Sequence, residues 1–132
     1  MKIELNSLLP KTTSDISTIN HLMNLTDEEI YPIIPSLLEW MQDINWIVAP
    51  YIVSVILKHQ KISEQFIAKL LSKAQNDDIW KYWIIKELLY KWTNAPCNEI
   101  LNELIRISES PSEGEIYEEV NILAKEYLNS YI

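Results

Sequence analysis

The sequence predicts an all-α protein, a HEAT-like α-solenoid of about three helix pairs preceded by a short N-terminal helix. Three observations predict it. The chain of 132 residues contains one glycine, Gly114, and two-residue hairpin turns favour glycine, so a meander of short strands is disfavoured. Apolar residues recur at 3.6-residue spacing in several segments. An aspartate also precedes a tryptophan by three positions twice, Asp43 with Trp46 in DINWIVA and Asp77 with Trp80 in DDIWKYW. The offset of 34 residues between the tryptophans is the size of a helix-pair repeat.

In chain order, a small leading helix is expected near 14–24, capped by Ser14 or Thr13. Thr26 with Glu29 forms a capping-box signature ahead of IYPIIPSLLEWMQ. Pro32 and Pro35 cannot both sit inside one regular helix, so a short turn is expected before Pro32. The main helix then runs from about Pro32 or Pro35 to Gln42. In 46–58, WIVAPYIVSVILK, polar residues appear only at Ser54 and Lys58. That pattern reads as a helix buried on most sides, its length arguing against a strand, with Pro50 placing its start near Asn45 or Trp46.

The segment 62–75 carries an apolar stripe of Ile62, Phe66, Ile67, Leu70, Leu71 and Ala74, with Ser63 as cap and QNDD as the closing turn. The apolar segment 79–92 has Lys81, Lys86, Glu87 and Lys91 along a solvated edge. In 98–109 the stripe is Ile100, Leu101, Leu104 and Ile105, with Asn98 as cap after Pro96. In 113–131 it is Val120, Leu123, Ala124, Tyr127, Leu128 and Tyr131. Ser112 with Glu115 makes a second capping box there, worth about 1 kcal/mol. The pairs 32–42 with 45–58, 62–75 with 78–92 and 98–109 with 113–131 are the expected repeats, within one domain over 1–132.

Composition excludes several classes. A single glycine leaves no phosphate-cradling loop and no dinucleotide fingerprint. The formal charge of −8, from 11 basic and 19 acidic residues, argues against nucleic acid, whose binding draws on lysine and arginine. It suits solubility or steering toward a basic partner. Cys97 is the only cysteine, so no intrachain disulfide forms, in keeping with a reducing compartment. The first fifteen residues lack the pattern of a signal peptide, and no apolar run reaches the roughly 18 residues of a membrane span. A cytoplasmic location and no membrane contact are expected.

Four blocks, LLPKTTSDI near the start, IYPIIPSLLEWMQDINWIVAP at 30–50, NDDIWKYW at 76–83 and SPSEGEIYEEV at 110–120, together resemble a bacterial family, domain of unknown function 5071. The resemblance spans nearly the whole chain, in order and spacing. It implies a fold similar to HEAT-repeat proteins and carries no established activity. Members tend to have proline directly after the NW pair, whereas this chain has Ile47 there and its proline at Pro50, which bears on where that helix starts.

The residues singled out for binding are Trp46, Asp77, Asp78, Trp80 and Trp83, with Asp43 and Asn45 behind them. Tryptophans would make contact and aspartates would hold a cation. The structural alternative is that each aspartate caps the next helix while each tryptophan fills the core. The second copy is the better site candidate, since one cap needs one aspartate and two are present. Glu113, Glu115, Glu118 and Glu119 open the last helix, where they complement its dipole. His21 and His59 are far apart in sequence and read as surface or edge residues, so no metal is expected. Cys97, at a helix start that favours thiolate, has no identifiable base beside it. No cofactor is expected.

The expected function is a small acidic interaction module binding a basic protein partner, immunity-like by analogy with small acidic bacterial proteins that neutralise toxins. It is more a binder than an enzyme, and a monomer or weak homodimer. The competing class is a ligand-binding protein or hydrolase using Asp43, Asp77 and Glu113 around a concave pocket. A third is a structural repeat that oligomerises through an apolar edge.

Overall fold

Prolines and caps decide where the helices of this chain begin. The computed structural model describes residues 4–131, and its regular elements there are α-helices and 3-10 turns, with no strand among the described residues. The first three residues, on which the leader expectation partly rests, and the Tyr131 side chain, assigned by spacing to the last stripe, lie outside the described part. The chain divides into two compact units, Met1–Ser63 and Glu64–Ile132.

In the first unit a 3-10 turn at Leu5–Leu8 leads to α1 (Ile19–Met23), α2 (Asp27–Ile30), α3 (Ile34–Leu38) and α4 (Ala49–Leu57). The Thr26 capping box forms as its sequence signals: Thr26 Oγ1 accepts the Glu29 N–H at 3.2 Å, and Glu29 Oε1 accepts the Thr26 N–H at 2.9 Å. The expected 32–42 helix is instead broken into a 3-10 turn at Tyr31–Ile33, α3, and a second 3-10 turn at Glu39–Met41. Each proline sits in the first positions of its own short element, where its missing N–H leaves no hydrogen bond unmade.

The leading helix starts at Ile19, later than Ser14 or Thr13 would place it. Thr18 stands at its N-cap position without capping it, because its hydroxyl donates to the Leu8 carbonyl. The helix expected from Asn45 or Trp46 begins at Ala49, with Pro50 in the first turn. Residues 43–48 form turns instead: Asp43 Oδ1 accepts the Asn45 N–H at 2.8 Å, and Val48 N–H donates to Thr13 O at 2.9 Å. Ile52, Val53, Val55 and Ile56 of α4 are buried, and α4 packs against α1 and α3. Of the apolar segment 46–58, residues 49–57 are helical and buried on most sides, with Pro50, Tyr51 and Ser54 forming an exposed strip.

The division between the units falls within α5 (Gln60–Leu70). Ser63, the expected cap, is buried in the helix interior with its hydroxyl donating to His59 O at 2.8 Å.

The second unit continues with α6 (Asp78–Glu87), a 3-10 turn at Leu89–Lys91, α7 (Asn98–Glu109), α8 (Glu113–Tyr117) and α9 (Val120–Tyr131). Helix α9 packs against α6, α7 and α8, burying Ile84, Ile85, Ile100, Leu104, Ile107, Val120 and Ala124. Cys97, one residue before Asn98, holds the N-cap position of α7, with no side-chain cap. The expected single helix over 113–131 is two. Glu118 N–H closes onto Gly114 O and Glu119 N–H onto Ile116 O, and Glu119 then takes a φ of 61°. Left-handed backbone costs a side-chain-bearing residue about 1–2 kcal/mol and ends a right-handed helix.

Candidate functional site

Two helix starts meet in the second unit. At α6, Asp77 Oδ1 accepts the Trp80 N–H at 3.1 Å, so this aspartate is a cap. At α8, Ser112 Oγ accepts the Glu115 N–H at 3.2 Å while Glu115 Oε1 accepts the Ser112 N–H at 2.8 Å. Between them lies Gly114. A Cβ built there would fall 2.0 Å from Asp78 Oδ2, so only hydrogen leaves room for the carboxylate. Glycine to alanine within a helix ordinarily gains about 1 kcal/mol. Here the sign reverses: Gly114→Ala pushes Asp78 aside and loses about 1–2 kcal/mol. Urea unfolding checks this, and in an Asp78→Ala background the same change becomes neutral or favourable.

Behind this contact is a buried ion network. Lys81, assigned by the sequence pattern to a solvated edge, is only 1 % exposed, which corrects that assignment. Its Nζ lies 2.8 Å from Glu115 Oε2 and 3.2 Å from Asp78 Oδ1. The Asp78 contact is an ion pair by distance but lies off hydrogen-bonding directions, leaving Asp78 Oδ1 without a hydrogen bond. Glu115, 0 % exposed, also accepts from Arg106 Nη1 at 2.9 Å and Nη2 at 2.8 Å. Arg106 further donates to Leu71 O at 2.9 Å and to Glu103 Oε1 at 3.1 Å. A buried carboxylate is tolerable only when paired and hydrogen-bonded, and this one has both.

Burial alone would raise the Glu115 carboxyl, but Arg106, Lys81 and the Ser112 N–H outweigh it and hold its pKa at about 2, against 4.5 for the free group. A carboxyl depressed in the folded state contributes stability that is fully present above its unfolded value. Stability is therefore expected to fall as pH drops from about 4.5 toward 2. Urea midpoints measured at intervals between neutral and acid pH check this, and Glu115→Gln should flatten that part of the profile.

On the solvent side the two helix starts frame an open concavity of ≈ 710 Å³, lined by Asn76, Asp77, Ile79, Glu113, Tyr117 and Glu118 among others. A second one of ≈ 310 Å³ shares Ile79 and Glu118 and adds Tyr82, Trp83 and Glu119. Ile79 is 45 % and Tyr117 84 % exposed, a large share of apolar surface for one face. Among the described residues, Tyr117, Glu113 and Glu118 have no side-chain hydrogen bond, ion pair or ring contact.

The residues singled out from sequence separate into three groups. Asp77, Asp78 and Trp83 come together at this face, Trp83 half-buried and edge-on to Tyr82 at 5.2 Å. Trp80 does not: it is 7 % exposed and belongs to the core. Trp46, Asp43 and Asn45 lie in the first unit, where Asp43 and Asn45 close a turn and half-buried Trp46 meets Trp40 edge-on at 5.8 Å. Asp43 caps no helix. Glu113 joins Asp77 at the larger concavity. Tyr117 and Ile79 were missed, and Glu118, assigned from sequence to the dipole at the start of the last helix, is at the C-cap of α8 instead. Tyr117 falls off the apolar stripe of its segment, and that off-stripe aromatic was the available signal.

Other titratable groups do not add to the site. Burial, with the Glu99 and Glu64 carboxylates, pushes the Cys97 thiol above its ordinary value despite the Ile100 N–H, so the expected helix-start activation is overridden. His59 is buried, with Nδ1 paired to Asp27, rather than at a surface or edge; His21 is exposed. Among the described residues no three His, Cys, Asp or Glu side chains cluster as metal ligands, and no helix is long and apolar enough to cross a membrane.

Fold and site together define a small all-helical protein with an acidic, aromatic concavity over a buried ion network. The chain belongs to the family described as Domain of unknown function (DUF5071), which matches residues 8–128. No curated protein matches it.

Proposed function

We propose that this chain is a HEAT-like helical-repeat interaction module whose α6–α8 face docks a basic protein partner. The observation that carries the proposal is the exposed Tyr117 ring, with Ile79 beside it and the uncommitted Glu113 and Glu118 carboxylates at its edges. Exposed aromatics are the residues most often responsible for binding energy, and a rim of one charge selects the partner's sign. The net charge of −8 adds long-range steering. The repeat reading rests on the succession of short helices, since the two aspartate–tryptophan pairs differ in structure: Asp77 caps α6, while Asp43 closes a turn. Helix dipoles account for Asp77 and Glu113 at helix starts and for Glu119 directly before α9, but not for Glu118 at the C-cap of α8.

The test is capture from the host lysate by wild type and by a Tyr117→Ala, Glu118→Gln variant, both exposed or partly exposed positions that leave the fold intact. A basic protein retained by the first and lost by the second supports the proposal. Equal retention by both, or capture of an acidic protein alone, overturns it. The second reading, a ligand-binding protein or hydrolase, is favoured only by Asp77 and Glu113 sharing one concavity. Asp77 already spends one oxygen on its cap.

A further inference from the structure

The chemistry of this face is narrower than positive charge alone, and the inference that follows rests on the docking reading above. We propose that the larger concavity takes an arginine side chain of the partner. Its guanidinium stacks on the Tyr117 ring and pairs with Glu118 and Glu113, and its aliphatic stem lies along Ile79.

Charge complementarity selects a cation as occupant. Glu113 and Glu118 have no ion partner among the described residues, and the nearby cations are committed, Lys81 to Glu115 and Asp78, and Arg106 to Glu115 and Glu103. Two features then separate guanidinium from ammonium. The first is the ring. Neighbouring Tyr82 already has the chain's own Lys86 ammonium 5.7 Å from its ring centroid, whereas Tyr117 at 84 % exposure has no such cover. A planar, weakly hydrated guanidinium stacks on such a ring, while an ammonium remains a hydrated point charge. The second is the presence of carboxylates on more than one side of the concavity, from Asp77 before α6 and from Glu113 and Glu118 of the α8 segment. The forked donors of one arginine engage several oxygens at once, an arrangement in which lysine is not an equivalent substitute. The volume of ≈ 710 Å³ accommodates one such side chain together with water.

The experiment titrates the full chain, followed by backbone amide resonances, with two blocked peptides, acetyl-Gly-Arg-Gly-Arg-Gly-amide and its lysine twin. The arginine peptide should bind about two- to fivefold more tightly than the lysine peptide, with shifts centred on Ile79, Gly114 and Tyr117. Tyr117→Ala should reduce the arginine peptide to the lysine level and leave lysine binding unchanged, whereas Tyr117→Phe keeps the preference. Glu113→Gln with Glu118→Gln should weaken both peptides. Equal binding of the two peptides at this face, or a preference that survives Tyr117→Ala, overturns the arginine assignment and leaves the docking reading standing. If neither peptide shifts any resonance of the α6–α8 face at millimolar concentration, both fall.

Discussion

Glu115→Ala is expected to cost about 3–5 kcal/mol of stability, the range for breaking a buried ion pair from one side. The loss comes from what remains. Lys81 is 1 % exposed, and its other carboxylate, Asp78, meets it off hydrogen-bonding directions. Without Glu115 an ammonium is stranded in the interior, and Arg106 loses two of its four acceptor contacts. A drop of this size lowers Tm by about 10 °C or more in a chain of this length. Adding Lys81→Met to Glu115→Ala should recover much of the loss, since it removes the uncompensated charge and leaves a side chain of similar volume. Thermal unfolding of the wild type, the single and the double variant checks both statements. A single variant as stable as wild type would mean that Lys81 reaches water, contrary to its burial here.

Trp80→Ala is expected to cost about 3–5 kcal/mol as well, by a different route: removal of a buried indole and opening of a cavity. The sequence put Trp80 among contact residues because it follows Asp77 in the repeated motif, yet it is 7 % exposed. Tyr117→Ala, by contrast, should change stability by no more than about 0.5 kcal/mol, as exposed substitutions generally do. Guanidinium unfolding of the two variants side by side separates a core aromatic from a surface one. Near-wild-type stability of Trp80→Ala would return that tryptophan to the face.

How much of this was legible depended on whether the deciding physics was local. Both capping boxes form where the sequence signals them, because four consecutive residues contain all their partners. Helix α7 falls on 98–109 as its spacing indicates, with Pro96 before it and Pro111 after it. The break at Glu118 and Glu119 was hidden. Neither proline nor glycine stands at it, so the left-handed φ of Glu119 has no residue-type signature; the one trace is that the apolar stripe begins only at Val120. Lys81 was misread because its burial depends on Glu115, thirty-four positions away. The acidic turn at Asp77 and Asp78 is legible, but Tyr117, the ring that completes the face, is marked only by lying off the apolar stripe, which does not say what it sits beside.

The same network has a kinetic side. Lys81, Arg106 and Glu115, with the Leu71 carbonyl, join parts of the chain that are distant in sequence. Desolvated charges attract strongly only after surrounding side chains have excluded water. The network is therefore expected to close late, after α6, α7 and α8 have come together, and to contribute little to the folding transition state. The loss in Glu115→Ala should accordingly appear almost wholly as faster unfolding, with the refolding rate little changed. On that expectation these buried charges are a latch, setting how long the second unit stays folded rather than how quickly it forms, and stopped-flow unfolding and refolding of the variant checks it.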